Sequence, residues 1–404
     1  MVSVRAGRYI RQPGGYRAFI PEPLPPDPPI DIDDEMLVRL SAADRALGRL
    51  DGATEVLPNP NLFVAMYVRR EAVLSSQIEG TQASLIDVLE YEVDAARKGL
   101  PADVAEVVNH VRAMNYGLAT LKTLPLSLRL IRQIHEQLLA NVRGAHRTPG
   151  EFRTSQNWIG PPGCTLQEAT FVPPPPSEVL NTMGDLERFL KSPVAMPVLI
   201  QVGLGHAQFE TIHPFLDGNG RIGRLLITFL LCEPKVLRRP LLYLSHYLKR
   251  HRATYYDHLQ AIRDAGNWEG WIRFFLAGVA EVANEATETA RRILQLREEH
   301  RHFVSEEIGT TNALRLLELL YERPIVTARV VRNDLQVSAP TANSLVNEFA
   351  RVGVLTETTG QRRNRTFSYR SYLSMFEDQP PPTAEAGAPA EDGSTTVVTA
   401  PSPT

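Results

Sequence analysis

Apolar residues recur three and four positions apart through most of this chain, the spacing of helices that bury one face. DEMLVRLSAADRALGRL opens the pattern at Asp34, and LFVAMYVRREAVLSSQIE continues it. AEVVNHVRAMNYGLATL, LRLIRQIHEQLLANV, EVLNTMGDLERFLK, VLIQVGLGHAQFETI and RIGRLLITFLL follow. Then come YLSHYLKRHRATYYDHLQAIRDA and WEGWIRFFLAGVAEVANEATETARRILQLREEH; the second reads as one long helix that becomes charged as it leaves the core. The pattern predicts a helical body over 34–300. Two stretches break it. Residues 1–33 are dense in Pro and Gly and cannot be regular helix. They predict an extended arm whose Tyr16, Phe19, Ile20 and Leu24 pack onto the body. Within 150–176, the runs FRTSQNWI and ATFVP flank a Gly/Pro turn and predict a β-hairpin. A lone hairpin leaves free strand edges. It would serve as a packing lid or as a place where another chain adds a strand.

Residues 301–376 read as a separate unit. TNALRLLELLYER, TARVVRNDL and SAPTANSLVNEFARVG predict three helices, and VLTETTGQRRNRTFSYR predicts two strands around a basic turn. That order suggests a winged helix-turn-helix. From Glu377 to Thr404 the chain is Pro, Ala, Thr, Ser, Gly and acid, and is expected to be disordered.

Composition bounds the function classes. With 404 residues and 43% hydrophobic content, the chain has room for two or three globular domains. A net charge of -3 excludes a general polyanion binder. The C-terminal unit departs from this, with eight Arg, no Lys and three acids between Arg323 and Arg370. Cys164 and Cys232 are the only cysteines, so no disulfide framework is implied and a reducing compartment is the default. No apolar run approaches the roughly 20 residues of a membrane-spanning helix, and no secretory leader pattern opens the chain. A soluble, cytoplasmic protein is expected.

The sharpest chemical signal is HPFLDGNGRIGR, residues 213–224, between two strongly apolar helical segments. Gly218, Asn219 and Gly220 allow a turn that points backbone N–H groups into one hollow. The helix that follows places this hollow at its N-terminus, where dipole and free N–H groups favour phosphate. Arg221 and Arg224 are three apart and offer planar donor forks. Asp217 supplies one hard oxygen, which suits Mg²⁺ shared with substrate phosphates. His213 titrates near neutrality and suits a general base. Pro214 and Phe215 would brace the loop, with Phe215 facing inward. Together these parts predict transfer of a phosphate-bearing group, driven mainly by positioning and electrostatics.

The stretch resembles the signature of the Fic family (Fic/Doc fold), HxFx(D/E)GNGRxxR, at every specified position. The resemblance implies an all-α Fic core with a β-hairpin flap and a small C-terminal winged helix-turn-helix domain. It implies transfer of AMP from ATP to a Ser, Thr or Tyr hydroxyl of a target protein, with pyrophosphate leaving. His213 would be the base and Asp217 the Mg²⁺ ligand. Gly218, Asn219 and Gly220 would form the phosphate nest. Arg221 and Arg224 would hold the terminal phosphates, on the helix turn that includes Ile222 and Gly223. PGEFRTSQNWIG resembles the family's flap, which aligns a target segment by strand addition. YLSHYLKRHRATYY resembles the helix that helps line the nucleotide pocket, with Tyr255 as the expected adenine or ribose contact.

SSQIEG, residues 75–80, resembles the family's inhibitory signature, (S/T)xxxE(G/N). Ser75 and Glu79 lie four apart on one helix face, and Gly80 is placed to end the helix. The resemblance implies that Glu79 pairs with Arg224 and occupies the γ-phosphate site. In the C-terminal unit, Ser338 to Arg351 would be the recognition helix, with Arg362, Arg363 and Arg365 at the wing. DNA and a protein partner, including a second copy in a homodimer, both remain open there. Alternatives to AMP transfer are transfer of UMP, phosphate or phosphocholine, removal of AMP by the same site, and a DNA-binding regulator whose Fic-like domain senses ATP.

Overall fold

The architecture is that of a computed structural model, described for residues 5–377 except 56–59, 96–98, 162, 193–195, 234–235 and 362–363. Arg362 and Arg363, expected at the wing, and the tail from residue 378 lie outside the described residues. Helix α1 (Asp34–Glu55) is followed by α2 (Pro60–Ile78), α3 (Leu85–Val93), α4 (Val104–Thr120) and α5 (Leu128–Leu138). Next come α6 (Pro176–Lys191), α7 (Val198–Ile212), α8 (Asn219–Cys232), α9 (Ser245–Arg250), α10 (Arg252–Ala265) and α11 (Trp268–Glu307). Helix α7 is buried along nearly its whole length, because its apolar residues are not confined to one stripe. It packs against α6, α8 and α11. The α7–α8 pair is therefore the centre of the body, and the connection between them is anchored in the core with His213, Leu216 and Asp217 partly exposed. Helix α2 packs on α4 and α9, and brings its C-terminal end to the start of α8.

The 40-residue α11 first lies along α1 and then reaches the C-terminal unit. The boundary expected at 300/301 thus falls inside one continuous helix. Beyond it are α12 (Thr311–Glu322), β3 (Ile325–Thr327), α13 (Ala328–Leu335), α14 (Ala339–Arg351), β4 (Thr356–Glu357), β5 (Thr366–Ser368) and α15 (Arg370–Leu373). The three strands form an antiparallel sheet in the order β3-β5-β4. Two strands were expected. The third, Ile325–Thr327, is three residues long and shows no alternation over that length. The unit is tied to α2 through Phe376, whose ring packs edge-on against Tyr67 at 5.7 Å.

Two further expectations change. The arm contains regular structure: β1 (Gly7–Arg11) and β2 (Arg17–Pro21) pair antiparallel. Its Pro and Gly residues cluster in the turn and after β2, and the two inside the strands, Gly7 and Pro21, stand at strand ends. Phe19 is buried against Phe171, and its N–H donates to the Val172 carbonyl at 2.9 Å. Conversely, residues 150–176 do not form two regular strands. One antiparallel bridge, Ile159 to Phe171, joins them. Pro173–Pro176 have no N–H to extend that ladder.

Candidate active site

The connection from α7 to α8 is braced from several directions. His213 caps α7 in the left-handed conformation, φ 49°, which a non-glycine residue adopts only when its surroundings hold it there. Its carbonyl accepts from Arg153 Nε at 2.9 Å and from Asn157 Nδ2 at 3.1 Å. Arg153 also donates through Nη2 to the carbonyls of Pro174 and Ile212. Asn219 brackets Phe215, accepting its N–H at 2.8 Å and donating to its carbonyl at 2.7 Å. His135 stacks on Phe215 at 3.8 Å. His135 Nδ1 accepts the Gly150 N–H, so Nε2 carries the proton and donates to the Asp217 carbonyl at 3.0 Å. Burial holds the His135 imidazole down at about 4, so it stays neutral in this role. Phe215 faces inward and is fully buried.

Gly218, φ 78°, turns the chain into α8. The Glu79 carboxylate lies directly over the next turn. A Cβ on Gly220 would come within 2.3 Å of Glu79 Oε1, a contact that only glycine avoids. Arg224, with a side chain 1% exposed, donates through Nη2 to Glu79 Oε1 at 2.7 Å. Its Nε donates to Ser75 Oγ at 2.8 Å, and Nη2 also reaches the Ser75 carbonyl at 2.9 Å. Ser75 and Glu79 therefore hold one guanidinium from one face of α2. Burial raises the Glu79 carboxyl, but the Arg224 and Arg221 charges outweigh it and hold the group below the ordinary carboxylate value. Arg221 turns elsewhere, toward Glu106 of α4 at 3.4 Å and Asp217 at 3.5 Å. The two arginines share a helix but hold different partners.

This arrangement can be set beside known proteins. The model for the Fic/DOC family N-terminal region matches residues 37–119, and that for the Fic/DOC family matches 125–231. The chain belongs to the Fic/DOC family. A protein named protein adenylyltransferase Fic from Aedes aegypti is 33% identical over 208 residues, which cover 49% of this chain and 37% of that protein. A probable protein adenylyltransferase from Aquifex aeolicus is 30% identical over 175 residues, covering 43% of this chain and 51% of that one. The match thus spans about half or less of the curated relatives' length. A crystal structure of a Fic family protein from Desulfovibrio desulfuricans G20 superposes with a TM-score of 0.56 at 20% identity, covering 84% of this chain and 97% of that chain, which shows the shared fold.

Within the Fic core, His213 is kept neutral. Burial, then the Arg263 and Arg153 charges, push its imidazole down to about 3, while its side chain remains 20% exposed toward the site. Asp217 Oδ1 takes the Gly218 N–H at 2.6 Å. Its Oδ2 lies over Gly144, φ 91°, where a Cβ would intrude to 2.7 Å. That space and a single carboxylate suit a Mg²⁺ that arrives with substrate phosphates. Among the described residues, no cluster of three or more His, Cys, Asp or Glu side chains offers a protein-only cage.

Tyr255, the expected adenine or ribose contact, is engaged within the core. It is buried, and its hydroxyl donates to His206 Nε2 at 2.9 Å, while His206 Nδ1 donates to the Gly223 carbonyl at 2.8 Å. This relay braces α8 from behind and uses the hydroxyl proton. The neighbouring Tyr256 is 39% exposed, and its hydroxyl feels the charges of Glu79 and Arg224. Tyr256, with His135, Arg153 and Asn157, was not singled out in the sequence, because none stands in a recognisable pattern. Ile222 is buried on the core face of α8, and the Gly223 carbonyl meets His206.

Proposed function

We propose that this Fic protein is a self-inhibited protein adenylyltransferase that moves AMP from ATP to a Ser, Thr or Tyr hydroxyl of a target protein. The observation that carries the reading is the Glu79 carboxylate seated on Gly220 and bonded to Arg224. It occupies an anion hollow at a helix start, the place where terminal phosphates of ATP would be held. Relatives named protein adenylyltransferase support the donor and the reaction.

In the proposed reaction the target hydroxyl oxygen bonds to the α-phosphorus. The bond from that phosphorus to the bridging oxygen of the β-phosphate breaks, and pyrophosphate leaves with the electron pair. The hydroxyl proton passes to His213, available because the imidazole is neutral. Arg224, released from Glu79, and the N–H groups of α8 would hold the leaving phosphates. Mg²⁺ held by Asp217 would offset phosphate charge. With Glu79 in place, negative charge stands where the γ-phosphate belongs, and ATP would sit poorly for in-line attack. A target segment would lie along the Ile159 side of residues 150–176, because β2 already bonds to the Val172 side. Trp158 is exposed there. ATP labelled at the α- or the γ-phosphate tests the reaction class. Transfer of α-label alone by Glu79→Gly supports AMP transfer, and transfer of γ-label would replace it with phosphate transfer.

For the C-terminal unit we propose a docking role, as opposed to DNA reading. Arg329, Arg332, Asn343 and Arg365 line a cleft of about 990 Å³ whose far wall is α3, with Glu90 and Asp94. A duplex would have to displace those acids. Gel-shift assays are expected to show no duplex binding that depends on Arg329 or Arg332; binding that is lost on Arg329→Glu and Arg332→Glu would restore the DNA reading.

A further inference from the structure

Two buried polar atoms beside the site lack a hydrogen bond: Nδ1 of His213 and Oε1 of Glu210. Their side chains face each other, with Glu210 Oε2 4.0 Å from His213 Nδ1. Buried polar groups are almost always satisfied, so an unpartnered imidazole nitrogen with a buried carboxyl beside it calls for a reason. Glu210 stands one turn before His213, at the end of α7, with its side chain 8% exposed.

The chain makes room for this carboxyl. A Cβ on Gly223 would come 2.2 Å from Glu210 Oε1. Glycine inside a helix costs stability. Here it removes the one side chain that would fill the carboxyl's place against α8. Gly223 is the fourth glycine-or-arginine position of the 218–224 run and shows no contact suited to phosphate. Its backbone instead meets His206 and Glu210.

We infer that Glu210 is the positioning partner of His213, its carboxylate accepting a hydrogen bond from Nδ1–H so that Nε2 stays free to accept the proton of the target hydroxyl. The inference rests on the adenylyltransferase reading and deepens it. Closing the 4.0 Å gap to hydrogen-bond length needs a shift of about 1 Å. The chemistry needs such a group. As Nε2 takes the proton, His213 becomes an imidazolium between Arg153 and Arg263, both of which oppose that charge. Once Glu79 swings off Arg224, a carboxylate at Nδ1 is what offsets them. A base held by an anionic third group, with its tautomer fixed, is a recurring catalytic arrangement.

Other groups face Glu210 from every side. Arg224 approaches from α8, Glu79 from the end of α2, and Arg263 from α10, whose Nη2 donates to the Glu210 carbonyl at 3.2 Å. The Tyr255 and Tyr256 hydroxyls, also on α10, feel its charge. Burial pushes the Glu210 carboxyl up to about 7, against the pull of Arg224. Protonated, it would carry no charge to offset the imidazolium formed on His213. The rate would therefore rise with pH as Glu210 ionises.

The test uses the full chain in the Glu79→Gly background, with α-labelled ATP, between about pH 5.5 and 9. Transfer rate, ATP binding and melting temperature are followed for Glu210→Gln and Glu210→Asp. The expected parent rate climbs through a group near 7 and levels off. Glu210→Gln is expected to lower kcat about 100-fold or more, to lose that limb, and to bind ATP and melt as the parent does. Glu210→Asp should recover part of the rate with a displaced limb. A Gln variant within about 3-fold of the parent, with the limb intact, overturns the inference; that is the result expected if a main-chain carbonyl serves His213. Should the Gln variant unfold, the Asp limb decides: displaced supports, unmoved overturns. A parent that transfers no label removes the adenylyltransferase reading and this inference with it. A transferring parent matched by its Gln variant removes the inference alone.

Discussion

Glu79→Gln separates charge from shape in the contact proposed to hold the enzyme off. The carboxylate accepts one short bond from Arg224 Nη2, at 2.7 Å, and its side chain is 35% exposed. Glutamine keeps an acceptor at the same place but removes the charge. A hydrogen bond to a charged group contributes about 1.5–3 kcal/mol, with two opposite charges toward the upper end and the Arg224 guanidinium on a neutral amide toward the lower. The difference, about 1–1.5 kcal/mol before solvent screening, converts at about 1.4 kcal/mol per tenfold. Partial exposure of Glu79 puts the result at the low end. The expected gain in initial transfer rate is about 5- to 10-fold over wild type, with Glu79→Gly higher still because it loses the whole bond. Initial rates with α-labelled ATP at saturating concentration measure it. A Gln variant as quiet as wild type, beside an active Gly variant, would show that bulk over Gly220 is the restraint and refute the charge argument.

Tyr255→Phe should strip the hydroxyl donor from buried His206 Nε2, costing about 1–3 kcal/mol, while KM for ATP stays within about twofold. A raised KM with unchanged melting would return Tyr255 to the nucleotide pocket. Acidification from about pH 7 to 5 should destabilise the fold in urea titrations. His110, His135, His206 and His213 are buried neutral with lowered values, so their contribution is present above the unfolded value near 6.5 and lost below it. Glu71 and Glu210, raised to about 7, act oppositely, favouring the fold below their unfolded value and losing that as pH rises through 7. Four histidines outweigh two carboxyls, so the unfolded chain binds more protons; stability unchanged or rising on acidification would contradict these assignments.

Most helices were legible because their apolar spacing is local, though the nine-residue α3 was not among those expected. The left-handed turn at Gly218 was legible too, written into three consecutive residues. The meeting of Glu79 with Arg224 was not. It joins residues 145 apart, and a Ser and a Glu at a helix end carry no signal of their own. Family resemblance, not spacing, pointed to it. Tyr255 and Tyr256 show a second limit: neighbours on a helix point about 100° apart, and only the packing of α10 on α7 and α11 decides which one faces the site. The arm's strands were hidden because Pro and Gly dominate its composition while touching β1 and β2 only at their ends, Gly7 and Pro21. His135, Arg153 and Glu210 belong to no motif. Their roles come from what the fold sets beside them.

The most direct measurement compares wild type, Glu79→Gly and Glu79→Gly with His213→Ala, each incubated with α-labelled ATP and a cell extract. Strong protein labelling by the single variant, faint labelling by wild type and none by the double variant is the predicted outcome. Equal labelling by wild type and Glu79→Gly would contradict the account, because the contact between Glu79 and Arg224 would then restrain nothing.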